Sequence, residues 1–230
     1  MTAETLTIDI VSDVVCPWCY IGKRKLEAAL ASPEAAALPA VQIRWHPFQL
    51  NPDMPSAGVP RKQYLEDKFG GPERAAEIYA RVGAAGNAVG LSLNFDDIKQ
   101  QANTLLAHAL IAYAQQSPQN DPQNTLGNDV KERIMKAYFV DGEFIGSLDV
   151  LVDIATRAGL EAAAVRAHLS DPAQRQAVAQ ADAQARQMGI SGVPFFIFNQ
   201  KVAVSGAQDP PALLAAMQQA VQEASPVKET

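Results

Sequence analysis

The chain has 230 residues, 48% hydrophobic and 19% charged, enough to bury a substantial core and unlike collagenous, low-complexity or largely disordered chains. Nineteen Lys and Arg against 25 Asp and Glu give a net charge of −6 without a dense basic cluster, which argues against nucleic acid and anionic membrane as partners. No apolar run approaches the ~20 residues needed to span a bilayer, and no basic residue precedes an apolar stretch within residues 1–15, so a cytoplasmic location is expected.

Leu6, Ile8 and Ile10 alternate with polar residues at the period of a strand. Pro17 suits the first turn of a helix, and Ile21, Leu26 and Leu30 supply one buried face for a run ending near Ala31. A second strand is predicted at Val41, Ile43 and Trp45, ending where Pro47 interrupts the ladder. Four prolines and Gly58 within residues 47–60 oppose both helix and sheet and mark an exit loop.

From Arg61 to His168 the pattern is helical throughout, with helices predicted at 61–69, 72–89, 96–115, 129–140, 148–158 and 161–169 and no strand of comparable quality. Asp171-Pro172 opens a long helix to Met188, with Gly189 as its C′ residue. Residues 193–198 then read as a short buried strand, Asn199-Gln200 as a two-residue turn and 201–205 as the returning strand. Pro210-Pro211 starts a last helix to about Ala224, followed by a polar tail. The expected fold class is therefore α/β: a discontinuous domain of residues 1–60 and 170–230 interrupted by an all-helical insert at 61–169.

Cys16 and Cys19 are the chain's two cysteines. A bridge between them closes so short a loop that it constrains the unfolded chain very little, which argues against a structural staple. Redox chemistry and half of a metal site remain as readings of the pair. At a strand-to-helix junction, unpaired backbone N–H groups and the helix dipole stabilise a thiolate, so Cys16 is expected to have a lowered pKa and to act as nucleophile. Cys19, one turn along, can attack the mixed disulfide formed at Cys16 and release the substrate thiol. Trp18 is read either as an apolar surface beside the reactive sulfur or as a ring covering the helix start.

Four segments carry a resemblance: D-V-V-C-P-W-C-Y-I-G-K at 13–23, W-x-P-F-x-L-N-P at 45–52, N-T-x-x-A-H at 103–108 and S-G-V-P-F-F at 191–196. Together they resemble the DsbA family of thiol–disulfide oxidoreductases, in particular its cytoplasmic FrnE-like branch. The resemblance implies a thioredoxin-like fold carrying an inserted helical domain. It also implies a cis Val193-Pro194 bond facing the C-x-x-C, where Val193 would pair with an extended substrate. Pro17, Trp18, Val193 and Pro194 are accordingly the expected substrate-binding residues, with Cys16 and Cys19 catalytic.

Other signals are weaker. A zinc site needs further ligands, and His46, His108 and His168 show no close pairing in sequence, so no metal is expected. His108 is read as a structural imidazole in preference to a catalytic base, and His46 and His168 as surface or structural. Asp13 either opposes the Cys16 thiolate by its charge or serves as a cap or solvent-exposed group. Residues 205–209 resemble the glutathione-contacting turn of related isomerases, although a plain strand-to-helix turn explains them equally.

The leading expectation is a thiol–disulfide oxidoreductase acting on protein or small-molecule thiols and disulfides. It needs no tightly bound cofactor, takes glutathione as a candidate co-substrate and relies on an unidentified recycling reductant or oxidant. One alternative is a glutathione-dependent isomerase or transferase like 2-hydroxychromene-2-carboxylate isomerase and the kappa-class glutathione transferases, relatives that generally carry Ser where this chain has Cys16. A redox-independent chaperone or binding module is the other.

Overall fold

The computed structural model describes residues 5–223, so the expected end of the last helix at Ala224 and the polar tail lie outside the described residues. In chain order the elements begin with β1 (Leu6–Ser12), α1 (Pro17–Leu30), β2 (Val41–Pro47), β3 (Val59–Pro60), α2 (Arg61–Phe69) and α3 (Pro72–Asn87). They continue with β4 (Gln100–Gln101), α4 (Leu105–Gln116), α5 (Thr125–Phe139), α6 (Leu148–Arg157) and α7 (Ala162–Ser170). The chain closes with α8 (Pro172–Gln187), β5 (Phe195–Phe198), β6 (Val202–Ser205) and α9 (Pro210–Gln222).

The main sheet has the order β2-β1-β5-β6, with β1 parallel to β2 and antiparallel to β5, which in turn is antiparallel to β6. This is the α/β, thioredoxin-like arrangement expected, with α2 to α7 entering between its two halves. Both faces of β1 are covered, so that its polar Asp9 and Ser12 are buried along with Leu6, Ile8, Ile10 and Val11. Ile8 and Ile10 pair with Phe198 and Phe196 in a core that also contains Leu26 of α1 and Leu213 and Met217 of α9. On the other face Val11 packs with Phe48, Ile190 and Ala185 of α8. The larger core continues without a break into α4 and α5 through Leu110, Ile111, Val130 and Ile134.

The β5–β6 hairpin turns on Asn199 and Gln200, both at positive φ (48° and 57°), and is closed by Lys201 N–H donating to the Phe198 carbonyl at 2.9 Å. Asn199 also anchors the turn to β1, because its Oδ1 accepts from the Thr7 amide at 2.9 Å.

The sequence reading fails in three places. The helix expected at 96–115 starts only at Leu105, because Asn103 caps that amide with Oδ1 and ties its Nδ2 to the Met54 carbonyl. The freed residues instead form β4, which pairs with β3 at the end of the Pro-rich segment, so this region does contain a small sheet. The helix expected at 129–140 begins earlier, at Thr125, because Asn120 and Asp121 accept hydrogen bonds from the Leu126 and Thr125 amides. The strand expected at 193–198 starts at Phe195, after the cis Val193–Pro194 bond.

Phe198 is fully buried and stacked with Phe196 at 6.4 Å between ring centroids. Phe198→Ala is expected to lower stability by about 3–5 kcal/mol, measured by urea unfolding; a loss under 1 kcal/mol would contradict this packing account.

Candidate active site

Cys16 is the N-cap of α1 in extended conformation, and Pro17 follows at the first helical position, where its missing N–H sacrifices no intrahelical bond. Both cysteines are free thiols, with Cys16 5% and Cys19 2% exposed. The Val193–Pro194 bond is cis, and the Cys16 Sγ donates to the Val193 carbonyl at 3.7 Å. Pro194 is buried against α1, where Gly22 leaves it room: a Cβ at residue 22 would stand 3.0 Å from Pro194 Cγ.

A cleft of about 310 Å³ opens beside these groups. Cys16, Pro17, Trp18 and Val193 line one side; Leu50 and Asn51 come from the segment after β2, and Tyr64, Lys68, Phe69 and Tyr79 from α2 and α3. Trp18 is 42% exposed and lines the cleft beside Cys16. Among the described residues Lys68 is the one charged lining residue, and its Nζ donates to Tyr64 Oη at 2.9 Å. The floor is braced by buried Arg61, which donates to Gln101 and Tyr79, both of them lining residues.

Behind the thiols lies a buried polar group. Asp13 is fully buried, which overturns the cap and solvent-exposed readings: its Oδ2 accepts from the Leu50 amide at 2.8 Å and its Oδ1 lies 3.3 Å from His108 Nε2. His108 is thereby a buried structural partner tying α4 to the turn after β1. Lys131 of α5, 1% exposed, donates to Ser12 Oγ at 2.8 Å and sits 5.0 Å from the Trp45 ring centroid. Burial lowers the Lys131 pKa to about 8, against the opposing pull of charge at Cys19, Asp13 and Cys16.

The acidity of the two thiols reverses the sequence expectation. Cys16 is pushed well above the ordinary thiol range by its hydrogen bond to the Cys19 sulfur, by burial and by the charges of Cys19 and Asp13. Burial raises Cys19 as well, but the hydrogen bond from Cys16, the Lys131 charge and the Ser12 hydroxyl outweigh it and hold Cys19 below its ordinary value. The helix start acts on Cys16, yet the nearby cation and hydroxyl serve Cys19.

The remaining expected groups lie elsewhere. His46 pairs with Asp9 at 2.7 Å, and the His168 ring stands 4.6 Å from Tyr113. Residues 205–209 join β6 to α9; Gly206 N–H donates to the Pro194 carbonyl at 2.8 Å and Lys25 holds Asp209 at 2.7 Å. Among the described residues no group of three or more His, Cys, Asp or Glu could hold a metal ion, and no helix is long and apolar enough to cross a membrane.

A family model described as a DSBA-like thioredoxin domain matches residues 7–218. The chain belongs to this family. It is 31% identical, with a TM-score of 0.83, to a probable DsbA oxidoreductase, SCO1869, from Streptomyces coelicolor, covering 98% of this chain and 94% of that one. It is 27% identical over 206 residues to the uncharacterized protein YwbO of Bacillus subtilis, covering 86% of this chain and 89% of YwbO. The fold is shared with the cytosolic disulfide reductase DsbM of Pseudomonas aeruginosa, solved with GSH, at 18% identity and a TM-score of 0.64 over 94% and 99% of the two chains. In this DsbA-like chain, sequence reasoning missed Ser12 and Lys131. Ser12 precedes the motif closely enough to have been considered, whereas Lys131 lies in a K-E-R run that reads as a solvated helix face.

Because Cys19 raises the Cys16 pKa, Cys19→Ser is expected to shift the midpoint of Cys16 alkylation to lower pH than in the reduced native protein. Iodoacetamide labelling followed by mass across a pH series reads this. An unchanged or higher midpoint would show that the neighbouring sulfur does not govern Cys16.

Proposed function

We propose that this chain exchanges disulfides with protein or small-molecule substrates through its C-P-W-C segment, Cys16 as nucleophile and Cys19 as resolving thiol. The observation that carries this reading is the placement of the Cys16 sulfur: at the start of α1, lining the cleft, 3.7 Å from the Val193 carbonyl and backed by a second thiol. Nucleophile identity is assigned by access, since the more acidic Cys19 is the more buried of the two.

With a substrate disulfide, Cys16 first loses its proton, its thiolate bonds to one substrate sulfur, and the other substrate sulfur leaves as a thiolate that takes up a proton. The Cys19 thiolate then attacks the Cys16 sulfur, expelling the second substrate thiol and closing the protein disulfide. Two electrons pass from the dithiol to the substrate, and the reverse sequence oxidises a substrate dithiol. Val193, Pro194, Pro17 and Trp18 position the substrate, with an extended backbone placed against the turn at Val193.

Glutathione is a small thiol partner in this reading, supported by the cleft's volume, by Lys68 as a cation for a carboxylate and by the GSH in the similarly folded DsbM. A cytoplasmic setting and a separate recycling reductant or oxidant belong to the same proposal. So does the division into a thioredoxin-like domain, 1–60 and 170–230, and a helical insert, 61–169, that walls the cleft. Cys at position 16, backed by Cys19, favours this chemistry over a glutathione-dependent isomerase.

Turnover of a glutathione mixed-disulfide peptide tests the assignment. Cys16→Ser is expected to fall to the uncatalysed rate, and Cys19→Ser to accumulate a covalent adduct at Cys16, seen by mass. Turnover persisting in Cys16→Ser would overturn the mechanism.

A further inference from the structure

Arg61, the first residue of α2, is 2% exposed beneath the cleft, and among the described residues its guanidinium hydrogen-bonds only to neutral groups. Nη1 donates to Gln101 Oε1 and to Tyr138 Oη, each at 2.7 Å, Nη2 donates to Tyr79 Oη at 2.9 Å, and Nε is enclosed without a partner. The Tyr79 and Tyr138 ring centroids stand 5.3 and 5.5 Å from its Cζ. Ring faces and neutral oxygens offset part of the cost of burying a guanidinium, and a carboxylate would offset more. Asp13, the acidic group whose charge reaches Tyr138, is already engaged by the Leu50 amide and His108.

The bonding of Arg61 decides what the cleft offers a ligand. A guanidinium can only donate, so it holds the oxygen of the Gln101 amide and leaves Nε2, a donor, turned away from it. Gln101 lines the cleft, and its Nε2 has no partner among the described residues yet is not enclosed as Arg61 Nε is. Tyr79 Oη likewise accepts from Arg61, and its own proton has no acceptor among the described residues. Further along the wall, Lys68 donates to Tyr64 Oη, which donates to Asn51 Oδ1 and leaves Asn51 Nδ2 unengaged. The oxygens of these side chains are thus occupied within the protein, and the unengaged polar groups are donors. Among the described residues no acidic side chain lines the cleft.

Resting on the oxidoreductase reading above, we propose that Gln101 Nε2 and Tyr79 Oη–H, under the charge of Arg61, form a carboxylate-binding subsite on the helical wall of the cleft, and that the small-molecule substrates of Cys16 are disulfides bearing carboxylates. A carboxylate is acceptor-only and anionic, so it matches a wall of donors backed by a cation; a neutral amide matches it weakly and an ammonium not at all. The bond changes are those given for the cysteine pair: the Cys16 thiolate bonds one substrate sulfur, the other leaves as a thiolate and takes up a proton, and Cys19 then closes the protein disulfide. The subsite itself moves no proton and forms no covalent bond. It selects which disulfide is held while Cys16 attacks. Lys68 is exposed and its charge is screened by solvent, whereas Arg61 acts from a buried position where screening is weak.

The test compares 3,3′-dithiodipropionate with its diamide as oxidants of the reduced protein, each rate divided by the rate with free mercaptoethanol. The native protein should favour the dicarboxylate by about tenfold, the gain from a charge-assisted hydrogen bond in place of a neutral one. Gln101→Glu gives Arg61 an internal carboxylate and removes the Nε2 donor, while Tyr79→Phe removes the O–H without adding charge. Both should bring the ratio towards that of the free thiol, with unfolding checked separately; a purely structural Arg61 cluster leaves the ratio where it was. In the native protein, suberate, the same dicarboxylate with methylenes in place of the sulfurs, should shift the Gln101 side-chain amide signals in nitrogen–proton NMR, and suberamide should not. No preference for the dicarboxylate, a ratio unchanged in both folded variants, or Gln101 signals indifferent to suberate would overturn the proposal. Suberate binding with neither disulfide oxidising the pair would uphold the subsite and defeat the oxidoreductase reading.

Discussion

The site depends on burying two thiols where β1 ends and α1 begins, beneath a turn that arrives from almost the other end of the chain. The contact between the Cys16 sulfur and the Val193 carbonyl joins positions 177 residues apart, and the rest of the fold is arranged so that it can form. Pairing of β1 with β5 brings residue 193 alongside the motif, the Asn199–Gln200 turn pins that hairpin to Thr7, and Gly22 leaves Pro194 space against α1. The core is continuous through these elements and into α4 and α5, so the helical block is packed onto the sulfur site as well as facing it across the cleft.

That packing has an electrostatic consequence. A helix start favours a thiolate at the N-cap sulfur, but the effect falls off within a turn and competes with whatever else is buried nearby. Here Asp13 and the second sulfur lie on the unfavourable side for Cys16, while Lys131 and Ser12 favour Cys19. In the mechanism proposed above, Cys16, which lines the cleft, makes first contact with substrate and Cys19 completes the exchange.

Much of the frame was legible from local patterns. The alternation at Leu6, Ile8 and Ile10, the proline after Cys16 and the Asn199-Gln200 pair each carry a mechanism that acts within a few residues, and the corresponding elements formed. The motifs at 13–23 and 191–196 contain Cys16, Pro17, Trp18 and Val193, which line one side of the cleft. What escaped depends on partners distant in sequence. Asn103 ends the extended segment before α4 partly by bonding Met54, which no periodicity announces, and Asp13 is buried because Leu50 and His108 converge on it. Lys131 is followed by Glu132 and Arg133 on an amphipathic helix, and only its packing against Trp45 and Ser12 distinguishes it.

The central claim is that Cys16 and Cys19 form one redox couple. Equilibrating the protein in glutathione buffers of defined poise, alkylating and weighing it tests this most directly. The account predicts a single reversible two-electron transition between a form that takes two alkyl groups and a form that takes none. A protein whose two thiols stay fully alkylatable at every poise would contradict it.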